Sequence, residues 1–265
     1  MIEPNPFETL RQMAAGYCLS RCLHVVANLA VADQLDETPR TAAELAMSVG
    51  AHPAALGRVL RLLSAHGVFE SCDGTFRHSP ASRMLRADRP QSMRDYVRMF
   101  GLPPFWATFG EMEQSVRTGL PSGEKVTTGG LWAYLAQHPE ANAVFNATMV
   151  TKAHTQIAGV LAAYDFSGFE VIGDIGGGRG HLLSAVLERV PTAMGVLFDL
   201  PHVVEDEAGA TSPRIRRRAG DFFKDKLPVG DVYLVMEVIH DWGDAESVSI
   251  LKAIRRAAPS LAKLL

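Results

Sequence analysis

The chain has 265 residues, 47% of them hydrophobic and 21% charged, with a net charge of −3. That is the balance of a globular protein with room for one large domain or two ordinary ones, and the charge gives no reason to expect a nucleic-acid partner. No run has the apolar length of a transmembrane helix, and the opening MIEPNPFETL is acidic and proline-bearing, unlike a signal peptide. Three cysteines, Cys18, Cys22 and Cys72, are too few and too uneven for a disulfide framework. A reducing cytoplasm is the expected compartment. Cys18 and Cys22, sharing a helix face, are expected to be buried thiols, with no neighbouring spacing that suits a metal.

From Phe7 to about Leu35 apolar residues recur at helical intervals, including Leu10, Met13, Tyr17, Val25 and Leu29. Thr41-Ala-Ala-Glu44 is a capping box that opens a short helix ending near Gly50. Pro53 suits the first position of the next helix, Leu56, Val59, Leu60 and Leu63 form its buried stripe, and Gly67 closes it. Asp73-Gly74 between two short β-prone runs predicts a hairpin. Helix, turn, helix and hairpin make a winged-helix pattern, which often binds DNA. The second helix offers only Arg58 and Arg61 as cations and is otherwise mostly Ala, Leu and Val, so packing or dimer formation is favoured. Residues from about 90 to 165 are also helical and rich in aromatics, broken at 119–123 and 127–130.

At residue 170 the pattern changes. Glu170-Val-Ile-Gly-Asp174 is a short strand that runs into Gly176-Gly177-Gly178-Arg179-Gly180, and a helix begins at His181. Strand, glycine turn and helix N-terminus form a ligand cradle, because glycine lets the backbone approach closely and the helix end presents free N–H groups. A dinucleotide fingerprint would require glycine where His181 stands; the spacing here is D-x-G-x-G-x-G, the form associated with S-adenosylmethionine. A second strand, Met194–Phe198, ends in Asp199, placed where open α/β sheets grip a ribose diol. A third, Ile215–Ala219, delivers Asp221 and Phe222, an acid beside an aromatic suited to an adenine. A fourth, Asp231–Val238, runs into Ile239-His240-Asp241-Trp242.

With these residues in order, the whole chain resembles the O-methyltransferases of the plant caffeic acid, hydroxyindole and bacterial polyketide-tailoring type. DIGGGRG (174–180), FDLPHVVE (198–205), GDFF (220–223) and EVIHDWGD (237–244) carry the resemblance, with weaker matches in LWAYLAQHPE (131–140) and FNATM (145–149). It implies a Rossmann-like α/β methyltransferase sheet behind a mainly helical winged-helix dimerisation domain. The implied limits are 1–100 for the dimerisation domain, 101–165 for a helical substrate-pocket region and 166–265 for the cofactor domain. By resemblance Asp174, Gly176 and Gly178 contact the cofactor, Asp199 holds the ribose, and Asp221 with Phe222 frames the adenine. His240 is the general base, and Phe145, Met149 and Asp241 line the pocket of a small hydroxylated acceptor.

The expected chemistry is methyl transfer to a hydroxyl. A phenol titrates near ~10 and an imidazole near ~6.5, so the base takes the proton only as the oxygen attacks. Two departures from the family stand out. Met236 occupies the position of a usual lysine four residues before His240, where contact with the cofactor through the backbone would survive. Lys263-Leu264-Leu265 reads as the start of a further strand, whereas the family's sheet has seven strands and four can be placed before it. The expectation is therefore a sheet incomplete at its C-terminus, with the acid that orients His240 beyond Leu265 and little activity from this chain alone. The alternative is a catalytically impaired relative acting as a nucleoside-binding or dimeric interaction protein.

Overall fold

The computed structural model describes residues 5–205 and 212–265. Two compact units divide the chain, Met1–Thr148 and Met149–Leu265. Among the described residues no helix is long and apolar enough to cross a membrane.

The first unit opens with α1 (Pro6–Asn28), capped by Asn5, whose side chain accepts the Phe7 N–H at 3.1 Å. The predicted run to Leu35 is broken because Ala30 turns left-handed, at φ 56°, and Val31–Gln34 continue as a 3-10 turn. That break carries Val31, Ala32 and Leu35 into the core. Next come β1 (Arg40–Thr41), α2 (Ala42–Val49), α3 (Pro53–Ala65), β2 (Phe69–Cys72) and β3 (Thr75–His78). Thr41 and Glu44 form the capping box: Thr41 Oγ1 accepts the Glu44 N–H at 3.3 Å, and Glu44 accepts the Thr41 N–H at 2.7 Å. Asp73 and Gly74, at φ 48° and 79°, turn β2 into β3, and β1 adds to give the antiparallel order β1-β3-β2.

Leu45, Leu56, Leu60, Leu63, Phe69 and Phe76 form this unit's core, which takes α1 only from Leu19 onward. Phe7, Leu10, Met13 and Tyr17 on the earlier turns stay 65–75% exposed. The expectation of two buried thiols is corrected for the same reason: Cys18 is exposed and Cys22 only half-buried. Six short helices follow, α4 (Pro80–Arg83), α5 (Arg94–Phe100), α6 (Pro103–Gly110), α7 (Met112–Thr118), α8 (Gly123–Val126) and α9 (Gly130–Gln137). The division between the units falls within α10 (Pro139–Ala163).

After α10 the second unit runs β4 (Val171–Ile175), α11 (His181–Arg189), β5 (Met194–Asp199), α12 (Pro201–Val204), β6 (Ile215–Ala219), β7 (Val232–Leu234), α13 (Asp244–Ala257) and β8 (Lys263–Leu264), with β6 passing to β7 without a helix. All pairings are parallel, in the order β6-β5-β4-β7-β8. The chain therefore steps outward through β5 and β6, then returns to the other side of β4 with β7. Such a reversal is where open α/β sheets leave a ligand crevice, outside the carboxyl ends of the strands. The fourth strand is shorter than predicted, because the chain leaves the sheet and Glu237 turns left-handed at φ 58°.

Successive residues of the central strands face opposite ways. Val232 and Leu234 pack with Ile172, Leu183 and Leu187, while Tyr233 packs with Ile175, Phe198 and Ile250. The Tyr233 ring is fully buried, its hydroxyl donating to Pro228 O at 3.0 Å and accepting the Gly230 N–H at 3.0 Å. Tyr233→Phe strands both backbone groups and should cost about 1–3 kcal/mol. Urea unfolding should show a lower midpoint at an unchanged slope. An unmoved midpoint would mean that both groups find other partners.

Candidate functional site

The loop after β4 is closed at Gly176 and Gly177 and open at Gly178. Gly176, Gly178 and Gly180 have φ of 70°, 58° and 77°, a region that side chains of L-residues disfavour. A Cβ at Gly176 would lie 2.7 Å from Val238, and one at Gly177 would lie 2.4 Å from the Asp174 carboxylate. At Gly178 it would meet nothing within 4 Å, so a ligand can approach the backbone there.

Asp199, at the end of β5, is tied to that loop. Its Oδ2 accepts the Gly178 N–H at 2.8 Å and its Oδ1 accepts the Leu200 N–H at 2.7 Å. Among the described residues each carboxylate oxygen accepts one backbone N–H, and an oxygen that accepts two bonds could take a second from a vicinal hydroxyl. Burial raises the Asp199 carboxyl above its ordinary value, and the two N–H groups and His202 oppose that rise. Asp174 lies beneath the loop, 2% exposed. Burial first, then repulsion from Asp199, push its carboxyl up to about 7, against a backbone N–H of Leu183 in the first turn of α11.

Further along the strand ends, Asp221 accepts the Phe223 N–H at 2.9 Å and pairs with Lys224 at 2.9 Å. Phe222 and Phe223 meet edge-on at 4.8 Å, and Trp242 meets them at 5.7 and 4.6 Å, which links the loop after β6 to the one after β7. The Met236 side chain packs on the core cluster of Ile172 and Leu234. His240 is largely exposed, with its Nε2 3.2 Å from Asp241 Oδ1 and 3.8 Å from Glu237 Oε2. Two carboxylates within the described chain therefore stand beside the histidine that was expected to find its acid beyond Leu265. Burial raises the Asp241 carboxyl and Glu237 adds to the rise, while His240 and Lys152 oppose it.

Of the residues expected to line a pocket, Phe145 belongs to the first unit, stacked on Phe105 at 6.4 Å and edge-on to Trp132 at 5.6 Å, and Met149 belongs to the second. Lys152, Gln156 and Glu237 were not foreseen. Lys152 and Gln156 both bond to the Glu237 carboxylate, across separations of 85 and 81 positions that no local spacing signals. Among the described residues no three His, Cys, Asp or Glu side chains gather as a metal-ligand set.

Comparison with known proteins gives two matches along the chain. An O-methyltransferase domain matches residues 106–265, and an O-methyltransferase dimerisation domain matches residues 11–88. This chain belongs to the O-methyltransferase family. It is 40% identical to the phenazine O-methyltransferase PhzM of Lysobacter antibioticus, over 97% of this chain and 76% of that protein. With the mitomycin biosynthesis 6-O-methyltransferase of Streptomyces lavendulae the identity is 36%, over 97% and 76%. Among solved structures, LaPhzM superposes with a TM-score of 0.92 at 38% identity, covering 98% of this chain and 80% of that one. The neocarzinostatin O-methyltransferase NcsB1, in complex with S-adenosylmethionine and 2-hydroxy-5-methyl naphthoic acid, gives 0.79 at 32%, covering 92% and 77%. The chain is an S-adenosylmethionine-dependent O-methyltransferase, and the open face at Gly178 beside the Asp199 carboxylate fits the nucleoside of that cofactor.

Asp174 makes the methyltransferase's stability pH-dependent. An ordinary aspartate releases its proton near 3.8, whereas the folded protein holds this one to about 7. Folding therefore takes up a proton between about pH 4 and about pH 7, and this contribution to stability is lost as pH rises through that window. Asp174→Asn removes the ionisation, so its urea midpoint should gain on the wild type across the window and stay level above it. A gap independent of pH would contradict this.

Proposed function

We propose that this methyltransferase modifies a phenolic hydroxyl of a small, flat aromatic or polyketide-like acceptor, with His240 as general base. The observation that carries the reading is the reversal of strand order between β4 and β7. It sets the Gly176–Gly178 loop and its Asp199 partner on one side, and the loop bearing His240 on the other. The phenazine and mitomycin methyltransferases that the chain resembles, and NcsB1 with its naphthoic acid, point to the same acceptor class.

In this reading Asp199 accepts from the ribose hydroxyls, the Gly176–Gly178 backbone lies against the nucleoside, and Asp221 with Phe222 borders the adenine. Met236, whose side chain is turned to the core, would contribute backbone only. S-adenosylmethionine supplies a methyl already activated on a sulfonium, so the protein's tasks are alignment and removal of one proton. His240 takes that proton as the acceptor oxygen attacks. Asp241 and Glu237 favour the positive charge the ring then carries, being opposite charges within ~4 Å. Met149, on α10, would wall the acceptor.

The functional parts follow the sequence limits, 1–100 for dimerisation, 101–165 for the acceptor region and 166–265 for the cofactor. The exposed stripe of Phe7, Leu10, Met13 and Tyr17, which runs into the start of the dimerisation match at residue 11, supports a homodimer. Light scattering should give twice the chain mass at micromolar concentration; a stable monomer would count against it. Free thiols at Cys18, Cys22 and Cys72 suit a reducing, cytoplasmic setting.

Transfer of labelled methyl to a panel of phenols tests the chemistry. His240→Ala should lower turnover by ~10²–10⁴-fold while calorimetry shows unchanged binding of S-adenosylhomocysteine. Asp199→Ala should instead weaken that binding, by about 10- to 100-fold for the lost charged hydrogen bonds. Full turnover by His240→Ala would remove the base from the mechanism.

A further inference from the structure

We propose that Lys152 and Glu237 act as one positioning pair for His240, clamping the loop after β7 to α10. The inference rests on His240 being the base. It starts from a backbone anomaly: Glu237 adopts φ 58°, a conformation that costs a side-chain-bearing residue energy and persists only where surrounding contacts impose it.

Those contacts are on the same residue. One Glu237 oxygen, Oε2, receives the Lys152 ammonium, and the other, Oε1, receives the Gln156 amide at 3.0 Å. Lys152 and Gln156 are four apart on α10, so they present their donors from one helix face. Both bonds are partly shielded from water, where a charge-assisted bond holds best. These bonds, Lys152 first and then Gln156, lower the Glu237 carboxyl from its ordinary value and so favour its charged form.

The same Oε2 lies 3.8 Å from His240 Nε2. Glu237 is thus the strained turn of the loop, its anchor to α10 and a neighbour of the base. Met149, assigned above to the acceptor pocket, lies less than one turn before Lys152 on α10. The clamp therefore fixes the distance between a residue of the acceptor wall and the base that serves it. Lys152 pairs with one of the two carboxylates beside the ring, Glu237, while Asp241 is the nearer of the two to Nε2, at 3.2 Å. A loop released from α10 would place the imidazole less well, and misplacement of about 1 Å can cost ~10²-fold in rate.

The test is steady-state methyl transfer on the full chain with the most active phenol of the panel. The variants are Lys152→Met, Lys152→Arg, Glu237→Gly, the Met/Gly double variant and His240→Ala. Glycine relaxes the left-handed backbone while removing the carboxylate, so Glu237→Gly decides the question even where Lys152→Met folds poorly. Both single variants should lower kcat by ~10–10²-fold, with KM for the acceptor and the Kd for S-adenosylhomocysteine nearly unchanged. Arginine at 152 should recover most of what methionine loses. The double variant should be no slower than the slower single one, the mark of residues that act as a unit. Wild-type kcat in Glu237→Gly, losses that multiply in the double variant, or changes confined to KM or Kd would each overturn the clamp. Wild-type kcat in His240→Ala would overturn the general-base reading instead.

Discussion

One carboxylate joins two strand ends into a single surface. The backbone ladder between β4 and β5 ends with the bond from the Gly176 N–H to Phe198 O, and the bond from the Gly178 N–H to Asp199 ties the glycine loop after β4 to the tip of β5 beyond that point. A hydrogen bond to a charged group is worth about 1.5–3 kcal/mol, enough to choose one arrangement of a flexible loop. The glycines make the bond possible, because only their backbone bends at φ 58–77° without strain. The sheet makes it useful, since parallel pairing brings the loops after β5, β6 and β7 to the same edge.

Along that edge, environment rather than residue type sets the state of each acid. Asp174, sealed under the loop and repelled by Asp199, keeps its proton toward neutrality. Asp199 is raised as well, but N–H groups oppose the rise. Glu237 moves the other way because Lys152 and Gln156 bond to its charged form. Three side-chain carboxyls are thus shifted differently by what surrounds them: two upward by burial and one downward by the donors bonded to its charged form.

Much of this was legible in order along the chain, because it is local. The Thr41–Glu44 capping box, the Asp73-Gly74 hairpin and the strand-to-glycine-loop transition at 174–180 each depend on residues within a few positions. What escaped depends on distance. The left-handed turn at Glu237 follows from bonds to a helix some eighty positions earlier, and its backbone lies within a run that alternation reads as strand. The exposure of Cys18 was hidden for a related reason: helical periodicity identifies an apolar face but not what, if anything, covers it.

The preformed state of Asp199 reaches beyond the catalytic step. Both its oxygens are already held by backbone donors, so the grip on a nucleoside need not be assembled when a ligand arrives. A ribose and an adenine are identical before and after a methyl group departs, and a rigid handle for them cannot tell the fresh molecule from the spent one. On the assigned roles, exhausted cofactor would compete for the site with nearly the affinity of the charged form. Turnover would then follow the ratio of the two in the surrounding solution, and whatever clears the by-product would govern this enzyme as firmly as its own acceptor does.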